Sequence, residues 1–279
     1  MSDVVVSQRR RLGKSGPEVS AIGLGCMSLS GVYGTSDDPA GIALIHRAID
    51  LGVDHFDSSD MYGWGQNEEL LGRALKGRRD RVVIASKFGQ TQRPGGANGV
   101  DGSPAYIAQA CEATLKRLGV ETIDLYYQHR VDPAVPVEET VGAMARLVEQ
   151  GKVRFLGLCE ASPERIRRAH AVHPIAAVQS EFSLLYREEA TETRALTSDL
   201  GISFFAYAPL ARSLLAGVIP DLAHLDTGDT RGRHPRFMGE NFAKNRALVE
   251  RIEAIAKEKG CSPAQLCLCL LYTSPSPRD

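Results

Sequence analysis

The feature that most constrains the fold is a regular alternation of short apolar segments with longer segments of helical periodicity. Seven apolar segments, each bounded by turn-forming residues, are predicted to be buried strands. They are residues 21–25, 55–57, 82–86, 125–128, 154–158, 176–179 and 202–206. Helical periodicity occupies most of the intervals, for example residues 41–51 and 138–149. This alternation predicts an α/β fold with a parallel sheet and crossover helices, either doubly wound or closed into a barrel.

Short recurring sequences mark where the helices begin and end. Leu-Gly-Val occurs at residues 51–53 and 118–120, and Leu-Gly-Ile at 200–202. Each predicts a glycine that ends a helix and leads into the next strand. Ser-Pro pairs at residues 103–104 and 162–163 predict helix starts, because the serine caps the helix and proline suits its first position.

Length and composition exclude several classes of protein. A chain of 279 residues with 43% hydrophobic residues can form one large barrel or two smaller domains. Its 33 basic and 34 acidic side chains nearly cancel and form no long block, so we expect no nucleic-acid partner. No apolar run has the length of a signal peptide core or a membrane span. We therefore expect a soluble cytoplasmic protein without a membrane partner.

The cysteines point to the same compartment. None of the six has CxxC spacing, so neither a zinc site nor a disulfide framework is predicted. Reduced thiols are typical of cytosolic proteins. The six are Cys26, Cys111, Cys159, Cys261, Cys267 and Cys269.

Four polar residues stand at or just after the predicted carboxyl ends of strands. They form a candidate tetrad: Asp57, Tyr62, Lys87 and His129. Each alone has an ordinary explanation, as a helix cap, a packing aromatic, a solvated cation or a core histidine. Together they predict a site, because the carboxyl ends of parallel barrel strands meet at one rim.

The four side chains have complementary chemistry for carbonyl reduction. A tyrosine hydroxyl has an ordinary pKa of about 10, so Tyr62 needs a stabilised phenolate to donate a proton efficiently. The ammonium of Lys87 can supply that stabilisation, and Asp57 can hold the ammonium in place. His129 can orient the carbonyl oxygen or assist the proton relay. Hydride must come from a nicotinamide cofactor, because no side chain donates it.

The ordered sequence motifs resemble those of the aldo-keto reductases. Over residues 8–268 these motifs are LGKSGPEVSAIGLGCM, FDSSDMYGWGQNEELLGRAL, SKFG, DLYYQHRVDP, VRFLGLCEAS, QSEFSLLYR and AYAPLARSLLAG. Within the family, the chain resembles the NADP-dependent group of aryl-alcohol dehydrogenases and pyridoxal reductases. The resemblance implies a (β/α)₈ TIM barrel whose bottom is closed by an N-terminal hairpin. It also implies that Tyr62 is the general acid/base and that the other three residues support it.

The same resemblance implies a set of cofactor-binding residues. Tyr207 corresponds to the aromatic residue that stacks on the nicotinamide, and Gln179 to a contact of its carboxamide. Cys159 replaces the serine usual in the family and is a weaker hydrogen-bond donor. Arg212 has an ordinary surface cation as its alternative. The full implied set is Met27, Asp57, Cys159, Glu160, Gln179, Tyr207, Pro209, Leu210 and Arg212. The implied cofactor is NADP(H), with NAD(H) as the alternative.

Two loops are expected to form the pocket walls for a small carbonyl or alcohol substrate. Residues 212–241 are rich in Gly, Pro, Asp and Arg, and residues 89–101 follow the third predicted strand. A long loop in a compact domain is usually functional or flexible.

Two other functions share parts of this pattern. Phosphate-binding barrels have the same fold but do not explain the tetrad. A cofactor-sensing regulatory subunit without significant turnover is the stronger alternative, because barrels of this family also serve as non-catalytic partners of channels. Turnover with aldehydes and NADPH distinguishes it from an enzyme.

The last residues of the chain depart from the family pattern. Residues 269–279, CLLYTSPSPRD, can be back-translated into transposase adapter DNA used in short-read library preparation. We therefore expect residues 1–268 to form a truncated barrel and residues 269–279 to be a non-native tail, with a genuine disordered Ser/Pro tail as the alternative. Such a barrel lacks its eighth strand and last helix, so the chain is expected to be unstable or prone to aggregation. Sequencing the source gene across codon 268 tests whether residues 269–279 are non-native, and a cooperative melt would count against the expected instability.

Overall fold

The computed structural model describes residues 8–92, 98–188, 190–217, 224–226 and 228–273. The strands of these residues are β1 (Arg9–Arg11), β2 (Glu18–Ser20), β3 (Leu24–Gly25), β4 (His55–Asp57), β5 (Val83–Phe88), β6 (Gln90–Gln92), β7 (Asn98–Val100), β8 (Ile123–Gln128), β9 (Val153–Cys159), β10 (Ile175–Glu181) and β11 (Ser203–Tyr207). The helices are α1 (Asp38–Asp50), α2 (Gln66–Ala74), α3 (Pro104–Leu118), α4 (Val137–Glu149), α5 (Pro163–Val172), α6 (Thr191–Leu200), α7 (Gly239–Glu258), α8 (Pro263–Leu268) and α9 (Leu270–Thr273).

The main sheet is a curved, nearly closed parallel barrel. Its seven strands lie in the order β3-β4-β5-β8-β9-β10-β11, which follows the chain without reversal. A doubly wound sheet reverses its strand order at a switch point, so that interpretation of the sequence is wrong. The barrel interpretation and all seven predicted strands are confirmed. Strands β8 and β10 are buried along their whole length, as expected for parallel strands covered on both faces.

The predicted helix boundaries are also confirmed. The hydroxyl of Ser103 accepts a hydrogen bond from the backbone of Tyr106 at the start of α3, and that of Ser162 does the same for Arg165 in α5. Gly119 and Gly201 end α3 and α6 with φ angles of 66° and 68°. Only glycine adopts this left-handed backbone without steric cost, which explains the recurring Leu-Gly pairs.

A hairpin of β1 and β2 closes the amino-terminal end of the barrel, as the family resemblance implies. Leu12, at its turn, is buried against Leu125 and Tyr127 in the barrel interior. The Ser203 hydroxyl accepts a hydrogen bond from the Gly13 backbone at 2.8 Å and donates one to the Arg11 carbonyl at 3.0 Å. These bonds tie the hairpin to the start of β11.

The sheet has two edges in the described part of the chain. Strands β3 and β11 lie at opposite ends of the strand order and do not pair with each other there. Every residue of β11 is partly exposed, whereas its neighbour β10 is fully buried. The barrel of the described residues therefore has seven strands, as expected.

The segment after β11 is less irregular than predicted. It contains short 3-10 turns, Leu214–Ala216, Thr230–Arg233 and Pro235–Phe237. Helix α7 begins at Gly239, so the loop ends at Met238, three residues before the predicted boundary at residue 241. Parts of both predicted pocket loops, residues 93–97, 218–223 and 227, lie outside the described residues, as do residues 274–279 of the predicted tail. Among the described helices, none combines the length and apolar character that a membrane crossing requires.

Two helical glycines should respond oppositely to alanine. A Cβ at Gly72 of α2 would lie 2.5 Å from the Leu118 carbonyl oxygen, whereas a Cβ at Gly142 of α4 meets no described atom within 4 Å. We expect Gly72→Ala to lower the free energy of unfolding by about 1–3 kcal/mol, because α2 must move away from α3. Gly142→Ala should raise it by about 0.5–1 kcal/mol through helix propensity. Denaturant unfolding measures both, and changes of the same sign would contradict the packing described.

Candidate active site

The structure brings the four tetrad residues together at the carboxyl ends of the strands. Asp57 is the last residue of β4, Lys87 lies in β5 one residue before its end, and His129 follows β8. Tyr62 begins a short 3-10 turn between β4 and α2. The rim position expected from the sequence is therefore confirmed for all four.

Lys87 is the centre of the cluster and is completely buried. Its ammonium donates hydrogen bonds to the Asp57 carboxylate, to the Ser58 carbonyl at 2.9 Å and to the Tyr62 hydroxyl at 3.5 Å. An ammonium has three hydrogens, so these partners satisfy it fully. Burial lowers the pKa of Lys87, but Asp57 and the other neighbours outweigh it and hold the pKa above its ordinary value. The lysine is therefore a fixed positive charge.

Burial and neighbouring charges shift the pKa of Tyr62 in opposite directions. Burial raises the pKa of its hydroxyl, Lys87 lowers it, and Asp57 raises it again. The result is a pKa above the ordinary value of 10, so burial outweighs the effect of Lys87 that the sequence suggests. At neutral pH the hydroxyl therefore carries its proton next to an ammonium that stabilises the phenolate left after donation.

His129 is a neutral imidazole at the same rim. It is only 6% exposed, and its ring meets the Tyr62 ring edge-on with centroids 5.8 Å apart. Burial, Lys87 and Arg130 all lower its pKa well below the usual value. It can therefore donate or accept hydrogen bonds at neutral pH, which favours the orienting role over that of a charged proton source.

The loop that carries Tyr62 has an unusual backbone. Gly63 and Trp64 have φ angles of 56° and 52°, and a left-handed conformation at tryptophan is uncommon. The loop is held by buried Asn67, which accepts a hydrogen bond from the Ser58 hydroxyl at 2.6 Å and donates one to the Cys26 carbonyl at 2.7 Å. These bonds connect the ends of β3 and β4 to the start of α2 and so position Tyr62.

Three of the proposed cofactor residues lie at or near the carboxyl ends of β9 and β10, on the other side of the barrel from Asp57. Gln179 donates a hydrogen bond to the free oxygen of Asp57 at 3.0 Å. Cys159 ends β9, and burial raises its pKa to about 12, so its side chain is a thiol. Glu160 has a φ of 50° and accepts a hydrogen bond from the Glu181 backbone at 2.9 Å.

The remaining proposed cofactor residues lie in two other segments. Met27 follows β3 in a 3-10 turn. Tyr207 ends β11 and is partly exposed, with its pKa raised by burial and by Glu160. Pro209 and Leu210 follow it, and Leu210 packs against the small apolar cluster under α7.

Arginines gather beyond β11. Arg212 donates a hydrogen bond to the Tyr33 hydroxyl at 3.0 Å, and Arg231 lies 5.3 Å from the centre of the same ring. Arg236 pairs with Glu181 at 2.6 Å, and burial, Arg212 and Arg236 all lower the pKa of His234. Within the described residues, the Arg212 Nε and Arg236 Nη1 atoms are buried without a hydrogen-bond partner. Unpaired guanidinium donors of this kind suit a diphosphate.

Neither Arg231 nor Arg236 is among the residues predicted for the site. Both lie in TRGRHPRF, inside the segment expected to be irregular, where no periodicity indicates a direction for a side chain. The high density of arginines in this segment is the sequence signal that could have identified them. Four non-glycine residues just after β11 have positive φ angles: Ala208, Ala211, Arg212 and Ser213. Such strained backbone clusters at ligand sites.

A large groove lies elsewhere on the molecule. It has a volume of about 1400 Å³ and lies on the outer side of the barrel, beside α2 and the end of α3. Arg73, Arg79 and Arg117 are among its lining residues, and no member of the tetrad is. None of its lining residues belongs to the cluster described above.

Comparisons with known proteins agree with this geometry. The model of the aldo/keto reductase family matches residues 21–276. A probable aldo-keto reductase of Glycine max is 48% identical over 263 residues, which are 92% of this chain and 75% of that protein.

Solved structures give the same result. A glycerol dehydrogenase from Gluconobacter oxydans superposes with a TM-score of 0.82 at 29% identity, over 94% of this chain and 81% of its own. The holo form of an aldo-keto reductase from Bacillus halodurans superposes with a TM-score of 0.69 at 31% identity, over 77% of this chain and 70% of its own.

Removing one partner of the buried pair should be costly. Asp57→Asn leaves the buried Lys87 ammonium without its counter-charge, so we expect the free energy of unfolding to fall by about 3–5 kcal/mol. Replacing both residues, as Asp57→Asn with Lys87→Met, should cost less than the single change. As a control, Asp38→Asn breaks an exposed pair with Arg73 and should cost less than about 1 kcal/mol. Equal losses for the buried and exposed pairs in denaturant unfolding would contradict this description.

Proposed function

Because the chain belongs to the aldo/keto reductase family, we propose that the tetrad carries out its reaction and that Tyr62 is the general acid/base. The chain is an NAD(P)H-dependent oxidoreductase that reduces aldehydes or ketones to alcohols. The observation that carries the assignment of roles is the buried ammonium of Lys87, which donates to Asp57 and to the Tyr62 hydroxyl at once.

Each residue then has a defined part in the reaction. The Tyr62 hydroxyl transfers its proton to the carbonyl oxygen as carbon receives hydride. Lys87 donates a hydrogen bond to the resulting phenolate and stabilises its charge. Asp57 keeps the ammonium in place, and His129 donates a hydrogen bond that orients the carbonyl oxygen. In alcohol oxidation the same proton returns to Tyr62.

The residues present fit a nicotinamide dinucleotide. Tyr207 and Gln179 are proposed to contact the nicotinamide, and Cys159 and Glu160 to line the strand ends beside it. Met27, Pro209 and Leu210 complete the proposed contacts. When bound, the cofactor supplies the hydride that no side chain can give.

An arginine provides positive charge for the diphosphate of the proposed cofactor. Arg212 is proposed to bind the diphosphate, and its buried Nε without a partner in the described residues supports this role. Arg231 contacts the same Tyr33 ring and is paired with Asp229, and Arg236 is paired with Glu181.

NADP(H) is the proposed preferred cofactor, on the family resemblance alone. A small carbonyl compound or alcohol is the proposed substrate. A cytoplasmic location is also part of the proposal, because none of the described cysteines forms a disulfide.

The regulatory-subunit alternative is not favoured. The family match and the related enzymes support turnover. A chain that bound NADPH but did not oxidise it with any of a panel of aldehydes and ketones would favour the regulatory role instead.

Tyr62→Phe should separate chemistry from binding. Loss of the hydroxyl removes the proton donor but leaves the ring in place, so we expect kcat for carbonyl reduction to fall by about 10²–10⁴ fold. The dissociation constant of NADPH should stay within about threefold, because the ammonium of Lys87 keeps its bonds to Asp57 and Ser58. Stopped-flow oxidation of NADPH and fluorescence titration measure the two quantities. Wild-type turnover by this variant would overturn the proposed mechanism.

A further inference from the structure

A buried serine separates His129 from the partly buried carboxyl group of Asp60. Ser59 has no exposed surface, and its hydroxyl oxygen lies 3.0 Å from Nδ1 of His129. The same oxygen lies 3.3 Å from a carboxyl oxygen of Asp60 and 3.5 Å from the Lys87 carbonyl oxygen, which makes the carbonyl the most distant of the three acceptors. It accepts a hydrogen bond from the Met61 backbone at 3.3 Å. The tetrad mechanism uses neither Ser59 nor Asp60.

The serine hydroxyl has a single hydrogen for these acceptors. If it donates to Nδ1 of His129, the ring hydrogen of the neutral imidazole must be on Nε2. If it donates to Asp60 instead, Nδ1 must carry the ring hydrogen and donate to the serine oxygen. The direction of the Ser59 hydroxyl and the tautomer of His129 are therefore linked.

We propose that Ser59 is a positioning residue that sets the tautomer of His129, and that the charge of Asp60 decides which tautomer it sets. The proposal rests on the proposed function, in which His129 orients the carbonyl oxygen. With hydrogen on Nε2, His129 donates to the carbonyl oxygen. With hydrogen on Nδ1, Nε2 presents a lone pair to that oxygen and repels it.

Groups of both charges lie near the Asp60 carboxyl and shift its pKa in opposite directions. Glu68 of α2 adds negative charge nearby, and Arg117 of α3, paired with Glu68 at 2.6 Å, adds positive charge. The rings of Tyr106 and Tyr126 lie within electrostatic range. Burial and Glu68 raise the pKa of Asp60 to about 7, while Arg117 and hydrogen bonds from Ser59 and Met61 oppose the shift. Asp60 thus changes charge in the physiological range.

The charged groups that face His129 do not compete with this control. Lys87 and Arg130 both disfavour a positive charge on its ring, so the imidazole stays neutral while Asp60 titrates. Tyr62 faces the ring edge, and its raised pKa keeps its hydroxyl protonated over the same range. Below about pH 7, Asp60 is neutral and Ser59 is free to donate to His129. Above that pH, the ionised carboxyl takes the hydrogen of the serine hydroxyl.

The first test is the pH profile of kcat/KM for carbonyl reduction at saturating cofactor. The wild type should lose activity across a step near pH 7. Ser59→Ala should reduce kcat/KM about tenfold at pH 6 and abolish the step. Asp60→Asn should also abolish the step but keep the low-pH activity up to pH 8, because the amide has no charge to gain. A wild-type profile without a step near pH 7, or a Ser59→Ala profile that keeps it, would overturn the proposal.

Controls separate positioning from loss of structure. Thr140→Val also removes a buried hydroxyl, one that donates to the Gly102 carbonyl, and should lower the melting temperature without moving the step.

Asp60→Asn should also change the pH dependence of stability. A carboxyl whose folded pKa is raised costs stability above its unfolded pKa, so this variant should melt higher than the wild type at pH 8, with the advantage shrinking toward pH 4. A lower melting temperature at pH 8 would contradict the placement of Asp60.

The decisive measurement does not require turnover. Nitrogen-15 NMR of labelled histidine distinguishes the two ring tautomers, and loss of the resonance in His129→Gln assigns it. The His129 resonances should change from the Nε2–H to the Nδ1–H pattern between pH 6 and pH 8 in the wild type, but not in Asp60→Asn. An unchanged tautomer in the wild type would overturn the proposal. A changing tautomer in a chain without carbonyl reduction would instead show that the proposed function has failed.

Discussion

The buried ammonium of Lys87 is the interaction on which the rest of the site depends. A positive charge without exposed surface is costly unless it is paired and hydrogen-bonded, and here all three hydrogens are used. Two of the acceptors, Asp57 and the Ser58 carbonyl, belong to β4 and the loop after it. The third is the Tyr62 hydroxyl. The need to hydrogen-bond the buried Lys87 ammonium therefore determines the position of Tyr62, the proposed acid.

The barrel makes this arrangement available. Asp57 and Lys87 are held by adjacent parallel strands, and their carboxyl ends point to the same rim. Gln179 reaches Asp57 from β10, which is not adjacent to β4 in the sheet, so this hydrogen bond crosses the interior. Hydrogen bonds therefore connect both sides of the barrel through the site.

The sequence predicts the elements that depend on local chemistry. Strand positions follow from apolar runs, helix ends from the Ser-Pro and Leu-Gly pairs, and the tetrad from polar residues at strand ends. Properties that depend on distant residues are not predicted. Burial, not Lys87, dominates the pKa of Tyr62, and the proximity of Ser59 to His129 joins residues 70 positions apart. Arg231 and Arg236 are not predicted, because an irregular segment has no periodicity from which the direction of a side chain can be inferred.

The most direct test of the account is the titration of Lys87. Carbon-13 NMR of lysine labelled at Cε follows each ammonium, and the resonance lost in Lys87→Met identifies the one of interest. Surface lysines should titrate near their ordinary pKa of about 10.4. Lys87 should remain protonated well beyond that pH, because Asp57 and its other neighbours outweigh the effect of burial. A Lys87 resonance that titrates at or below the ordinary value would contradict the account.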